Sequence, residues 1–255
     1  MAHGNMAGSY EDFPETWYDL GDANHFWMQW RFQTWLRRMR NEGDRLKAPA
    51  RALDVGCGVG VFRKQVEMAT AWTVDGVDLN VWALKRSQPG RGEMMSLDIT
   101  DFPLKLHQRY DHVFLFDVLE HLENPVLFLQ ASLHCLKPRG MIHINVPALS
   151  SQFSRYDLAA GHLRRYDKGS LQEAVKGLGL ENISSDYWGF SLLPYLFIRK
   201  WWVGRSPSKQ DVIQKGFRPP HRLANGVFLA QMKIETSLYP RACLGTSLML
   251  SAQKG

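Results

Sequence analysis

The chain is poor in the features that mark secreted, metal-stapled or membrane-spanning proteins. Its 255 residues hold only three cysteines, Cys57, Cys135 and Cys243, with no CxxC pair and no Cys/His cluster. A disulfide framework and a zinc knuckle are not expected, and a reducing cytoplasm suits the chain. No basic segment followed by an apolar stretch opens the sequence, so no signal peptide is expected. The longest apolar run, around Phe190 to Ile198, falls far short of the roughly 20 residues that span a bilayer. The expectation is a cytoplasmic protein, at most peripheral to a membrane. Internal repeats and low-complexity tracts are also missing.

The composition that remains is globular, with 45% hydrophobic and 22% charged residues. That excludes a mostly disordered or collagen-like chain and leaves ample material for a core. The formal net charge is +6. Residues 151–225 hold 12 Lys+Arg and 6 Asp+Glu, while the rest of the chain holds 19 of each. The whole excess therefore lies in one C-terminal stretch. A basic balance suits an anionic partner: nucleic acid, anionic lipid or a phosphorylated substrate.

Hydrophobic periodicity gives the organisation. Residues 1–15 read as a loose tail and 16–49 as a helical cap, with apolar positions at helical spacing from Asp22 to Arg40. The expected strands are Ala50–Val55, Thr73–Val77, Met94–Leu97, Tyr110–Phe116, Met141–Val146, Ile183–Trp188 and Ser247–Ala252. The expected helices are Val61–Ala69, Val81–Arg86, Pro125–Leu136, Ser170–Gly177 and Gly226–Leu238, with Lys137-Pro138-Arg139-Gly140 as a stop. Such alternation predicts an α/β, doubly wound, mostly parallel sheet of seven strands. One domain is expected over 1–255, with its core at 50–147 and the remainder at 148–255. Residues 190–240 form an insertion before the closing strand, irregular over 190–225.

The sharpest motif is Leu53-Asp54-Val55-Gly56-Cys57-Gly58-Val59-Gly60. Glycines at alternate positions after a strand allow a tight turn and close approach to a ligand. A dinucleotide-binding loop needs a third small residue to seat its helix, but Val61 stands there. Asp54, just before the glycines, repels a pyrophosphate and suits a cationic ligand. These two residues disfavour a NAD-dependent oxidoreductase. Asp78, ending the second strand, is placed to accept bonds from both hydroxyls of a ribose. Asp98, after the third strand, is placed to accept from an adenine amino group, with Ile99 against the ring.

Taken in order, these positions resemble the class I S-adenosylmethionine (SAM)-dependent methyltransferases. The resemblance implies a seven-stranded sheet with a reversed last strand, SAM across the strand ends, and S-adenosylhomocysteine as the product. It implies that Gly56, Gly58 and Gly60 pass under the methionyl and ribose parts, that Asp54 orients the amino end, and that Asp78 holds the ribose. Asp98 and Ile99 flank the adenine, and Cys57, Leu79 and Asp117 complete the pocket. His25-Phe26-Trp27, Gly161-His162-Leu163-Arg164-Arg165-Tyr166 and Leu244-Gly245-Thr246-Ser247-Leu248 resemble signatures of bacterial methyltransferases acting on small molecules, glycans or lipid-linked intermediates.

The acceptor side follows the fourth and fifth strands. His121 and His162 are candidate bases for a hydroxyl nucleophile, because histidine titrates near neutral pH. Tyr166 is a candidate for orienting the substrate, Arg164 and Arg165 for gripping a carboxylate or phosphate, and Trp27 for covering the site. The order Asp117-x-x-Glu120-His121 is similar to the E-x-x-E-H of ubiquinone-pathway O-methyltransferases and small-RNA end methyltransferases, where it can hold a divalent ion. Here the first Glu is Asp, one methylene shorter, and no resident metal is expected. The aromatic and basic stretch Tyr187–Val203 fits an apolar lid with a basic rim, a lipid or membrane-interface surface, or a single-stranded nucleic-acid platform. The expected activity is O-methylation of a small-molecule, glycan or lipid-linked acceptor. An RNA methyltransferase and a non-catalytic partner protein of the same fold remain as alternatives.

Overall fold

The structure is a computed structural model that describes residues 24–41, 46–203, 212, 221–238 and 242–255. The expected tail, the start of the helical cap and most of the segment 204–220 lie outside the described residues. Seven strands form one sheet: β1 (Arg51–Val55), β2 (Thr73–Asp78), β3 (Met94–Ser96), β4 (Tyr110–Phe116), β5 (Leu136–Pro147), β6 (Leu180–Trp188) and β7 (Ser247–Lys254). Their spatial order is β3-β2-β1-β4-β5-β7-β6. β7 runs antiparallel to both neighbours, and the other pairings are parallel. This is the doubly wound sheet with a reversed last strand. The helices are α1 (Phe26–Asn41), α2 (Val61–Ala69), α3 (Val81–Lys85), α4 (Pro125–Cys135), α5 (Arg155–Ala159), α6 (Lys168–Val175), α7 (Leu193–Val203) and α8 (Arg222–Leu238).

Alternation along β4 shows how the sheet makes two cores. Val113 and Leu115 face one layer, with Leu53, Ile142, Leu250 and helices α4 and α6. Phe114 and Phe116 face the other, with Trp30, Trp35 and Met39 of α1 and Phe62 and Val66 of α2. Trp35 is the keystone of that second layer. Its ring meets Phe62, Trp72 and Phe114 edge-on at 5.6, 5.7 and 5.4 Å. Local signals set the helix starts: Pro125 opens α4, and Asn124 Oδ1 accepts from Leu127 N at 3.2 Å.

Three expectations need correction. Lys137-Pro138-Arg139-Gly140 does not separate α4 from β5 but lies inside β5, where the register slips between Tyr110 and His112 and Arg139 adopts φ 63°. A bulge tolerates Pro138 because no ladder donor is needed there. Residues Leu193–Val203, expected to be irregular, form α7. Pro194 lies in its first turn, where a missing N–H costs no helical bond. α8 begins at Arg222 rather than Gly226. There Asn225 ties it to α1, accepting from Phe26 N at 2.9 Å and donating to Asn24 O at 3.1 Å.

Candidate active site

The sheet order reverses between β1 and β4, and ligands of open α/β sheets bind beyond the strand ends at such a point. Gly56, Gly58 and Gly60 leave β1 there with φ of 71, 53 and 76°. That left-handed region is open to glycine and costs other residues about 1–2 kcal/mol each. A Cβ at Gly56 would also lie 2.7 Å from Val118 Cγ2. Asp78 ends β2 and braces the loop, its Oδ2 accepting from Gly58 N at 2.7 Å and its Oδ1 from Asn80 N at 2.8 Å. Burial raises the Asp78 carboxyl above its ordinary range, against these backbone bonds. Leu79 follows it, half-buried, and Cys57 is buried beneath the loop. Asp98 Oδ1 accepts from the backbone N and the hydroxyl of Thr100 at 2.8 and 2.7 Å, and Ile99 is buried.

Asp54 is buried behind the glycines, and burial lifts its carboxyl to about 7. The positive charges of Arg31 and Arg63 pull the other way, and Asp78 adds to the rise. Arg63 is committed elsewhere, donating to the backbone oxygens of Val74, Gln88 and Gly92 at 2.9, 3.1 and 2.9 Å. The loop therefore meets two carboxylates and a spoken-for arginine. That donor set fits a cationic sulfonium and ammonium ligand and opposes a pyrophosphate.

A buried network closes the site from the α1 side. Asp117, just past β4, holds φ 59°, a strained value for a non-glycine residue. Its Oδ2 accepts from Arg31 Nη1 and its Oδ1 from Asn145 Nδ2, both at 2.6 Å. Trp188 Nε1 donates to Asn145 Oδ1 at 2.9 Å, and Trp27 packs on the Trp188 ring at 4.7 Å. The Arg31 guanidinium lies 5.6 and 5.5 Å from the ring centres of Phe62 and Phe116. Asn145 was not anticipated. Arg31 among the aromatics of α1 and Trp188 in the aromatic stretch 187–203 stood out in the sequence, but their pairing with Asp117 and Asn145 did not.

On the acceptor side three groups converge. Donor atoms of Glu120, His121 and His162 lie within 4.8 Å of one another. Glu120 is buried with its Oε2 lacking a hydrogen-bond partner. Burial, with the Asp117 charge, pushes its carboxyl well above the ordinary range. His121 Nδ1 meets Gly161 O at 3.1 Å, and burial and the neighbouring His162 push its imidazole down to about 3. His162 stands edge-on to His121, ring centres 4.8 Å apart, with its Nδ1 3.2 Å from Asp157 Oδ1. Asp157, missed in the sequence, also accepts from Arg165 Nε at 2.7 Å and from Ser154 Oγ at 2.9 Å. Burial alone would raise the Asp157 carboxyl; the bond from His162, the Arg165 charge and the Ser154 hydroxyl bring it down to about 2.

Three expected acceptor residues are placed otherwise. The Tyr166 ring is buried in the main core and its hydroxyl donates to Leu119 O at 3.2 Å. Arg165 is buried, paired with Asp157 and donating to Ala148 O at 3.0 Å. Arg164 Nη2 donates to Leu122 O and Glu123 O at 2.9 and 3.2 Å. All three brace the walls around His162. The Asp117, Glu120 and His121 ligand set is replaced as well: Asp117 turns to Arg31 and Asn145, and His162 takes its place beside Glu120 and His121.

Strand order, left-handed glycine loop and paired carboxylates together define a SAM-dependent class I methyltransferase. Residues 27–185 match a family model described as "Methyltransferase domain" (Methyltransf_23), and the chain belongs to that family. Over 98 residues it is 39% identical to the tRNA U34 carboxymethyltransferase of Pseudomonas aeruginosa, a match covering 35% of this chain and 30% of that one. Over 101 residues it is 29% identical to the ubiquinone biosynthesis O-methyltransferase of Pseudomonas savastanoi pv. phaseolicola, covering 37% and 43%. The chain thus spans less than half the length of either curated relative. Among solved structures it resembles a SAM-dependent methyltransferase from Archaeoglobus fulgidus, with TM-score 0.53 at 19% identity over 86% of this chain and 92% of that one. It also resembles phosphoethanolamine N-methyltransferase 2 of Haemonchus contortus, crystallised with phosphomonomethylethanolamine and S-adenosylhomocysteine. That match has TM-score 0.56 at 19% identity over 87% and 52%. No helix among the described residues is long and apolar enough to cross a membrane.

Proposed function

We propose that the chain methylates a hydroxyl of a small-molecule, glycan or lipid-linked acceptor. The observation that carries this reading is the His162–Asp157 pair beside His121, which lies in the segment that follows β4. SAM supplies an activated methyl on sulfur, so the chain has mainly to position the acceptor, exclude water and take one proton. The backbone of Gly56–Gly60 and the Asp78 carboxylate hold the donor's ribose side, Asp98 and Ile99 its adenine, and ionised Asp54 its ammonium. Asp157 keeps the proton of His162 on Nδ1, which leaves Nε2 to accept the hydroxyl proton as the new C–O bond forms. The Asp157 carboxylate then stabilises the imidazolium.

A second reading rests on the orphaned Glu120 Oε2. One carboxylate and two imidazoles suit a transition metal better than magnesium. Glu120, His121 and His162 would hold such an ion, and its chemistry would be to acidify the acceptor hydroxyl. His162 Nε2 cannot serve both roles. The deciding experiment incubates the protein with methyl-labelled SAM and a fractionated metabolite extract, with and without prior EDTA dialysis. A labelled low-mass product, lost in His162→Ala while SAM affinity is kept, supports the proposal; its survival after EDTA selects the base over the metal. Label in RNA alone, or turnover unchanged in His162→Ala, overturns it.

A further inference from the structure

Helices α7 and α8 expose apolar surface that neither the SAM site nor the sheet uses. α7 buries Leu193 and Leu196 but turns Tyr195, Phe197, Ile198, Trp201 and Trp202 to solvent, with Ile198 62% and Trp201 64% exposed. On α8 the exposed large apolar residues are Leu223 at 79%, Val227, Ile234 and Leu238 at 66%. At about 100° per residue those four positions fall within a narrow arc, a single apolar stripe along the helix. The opposite face of α8 is fastened down. Glu235 accepts from the backbone of Gly189, Phe190 and Ser191 at 2.8, 3.0 and 2.7 Å, and Phe228 stacks on Phe26 at 4.5 Å. The stripe is thus held outward by the fold. An exposed apolar stripe of this kind marks an interaction site.

Charge decides the occupant. The described residues of α7 and α8 carry four cations, Arg199, Lys200, Arg222 and Lys233, against a single acid, Glu235. That acid is buried. Exposed Arg222 and Lys233 sit beside Leu223 and Ile234 of the stripe. We propose that α7 and α8 dock on the surface of an anionic lipid bilayer, lying in the interface without crossing it. Tryptophan, tyrosine and aliphatic side chains flanked by cations suit that boundary. A second copy fits worse, because a two-fold interface would press the same positive surface against itself. Single-stranded nucleic acid could stack its bases on the α7 rings but would leave the aliphatic α8 stripe without a partner. The docking face adjoins the acceptor side. Arg199 of α7 lies 3.7 Å from the Tyr156 ring centre, and the next residue, Asp157, holds His162.

The test is flotation of the purified full chain with vesicles of phosphatidylcholine alone and of phosphatidylcholine with about a quarter phosphatidylglycerol. Sizing chromatography and SAM titration run in parallel. The chain is expected to float with the anionic vesicles and to be released as salt rises from about 0.1 to 0.5 M. Val227→Glu/Ile234→Glu, and separately Trp201→Ala/Trp202→Ala, should lower the bound fraction at least about tenfold with SAM affinity unchanged. No flotation with anionic vesicles overturns the proposal, as does binding indifferent to phosphatidylglycerol or fully kept by both variants. A dimer that the α8 variant dissociates would make the stripe a subunit interface and overturn it too.

Discussion

The proposed contact between Asp54 and the ammonium of SAM makes SAM affinity depend on pH. Burial raises its carboxyl from 3.8 to about 7, so at pH 6 roughly nine molecules in ten carry it neutral. Holding the ammonium of SAM requires the ionised form. Binding must then expel a proton below pH 7, and affinity should rise with pH up to that point. The expected slope is about tenfold in Kd per pH unit, or about 1.4 kcal/mol, with close to one proton released per SAM near pH 6. Above about 8 the affinity should fall again as the SAM amino group itself loses its charge. Isothermal titration in buffers of differing ionisation enthalpy reads both the slope and the proton count. Asp54→Asn should bind weakly and lack the acid limb. Arg31→Met should move that limb to higher pH, because the Arg31 charge opposes the rise. An acid limb that survives in Asp54→Asn would refute the reasoning.

Three other perturbations have definite outcomes. Gly56→Ala combines a left-handed φ of 71° with a 2.7 Å approach to Val118, so it should lose at least about 1 kcal/mol in urea denaturation and weaken SAM binding. Trp35→Ala empties the centre of the α1 layer and should cost about 3–5 kcal/mol by the same assay. Asp157 is held at about 2, below its unfolded value. Its contribution, about 2 kcal/mol, is therefore present above pH 4 and lost as pH falls from about 4 to 2. Asp157→Asn should lack that acid transition and should lower kcat more than KM, because His162 loses its orienting partner.

Legibility in the sequence followed the range of the interactions. α2 and β4 fall at the expected residues, 61–69 and 110–116, because hydrophobic periodicity is a local property. The glycine loop and Asp78 were legible for a related reason: backbone turns beside strand ends demand particular residues at short spacing. α7 was not legible. Its sequence, LPYLFIRKWWV, is apolar on nearly every side and carries a proline, so no period shows. The network closing the site was out of reach for another reason. Arg31 meets Asp117 across 86 positions, and Trp188 meets Asn145 across 43. Tyr166, Arg164 and Arg165 were assigned to substrate because their chemistry allows it, and chemistry alone does not say which way a side chain turns. Asp157 did leave a trace, since Ser154-x-x-Asp157 has the spacing of a capping box.

The central claim is that the strand ends of this sheet bind SAM through the glycine loop and Asp78. Titration of SAM into the purified chain at pH 7.5, beside Asp78→Ala, tests it most directly. One SAM per chain with micromolar affinity, reduced at least about tenfold in Asp78→Ala, is the predicted result, since about two lost ribose hydrogen bonds to a charged group are worth well over 1.4 kcal/mol. Absence of binding by the wild-type chain, or equal binding by the variant, would contradict it.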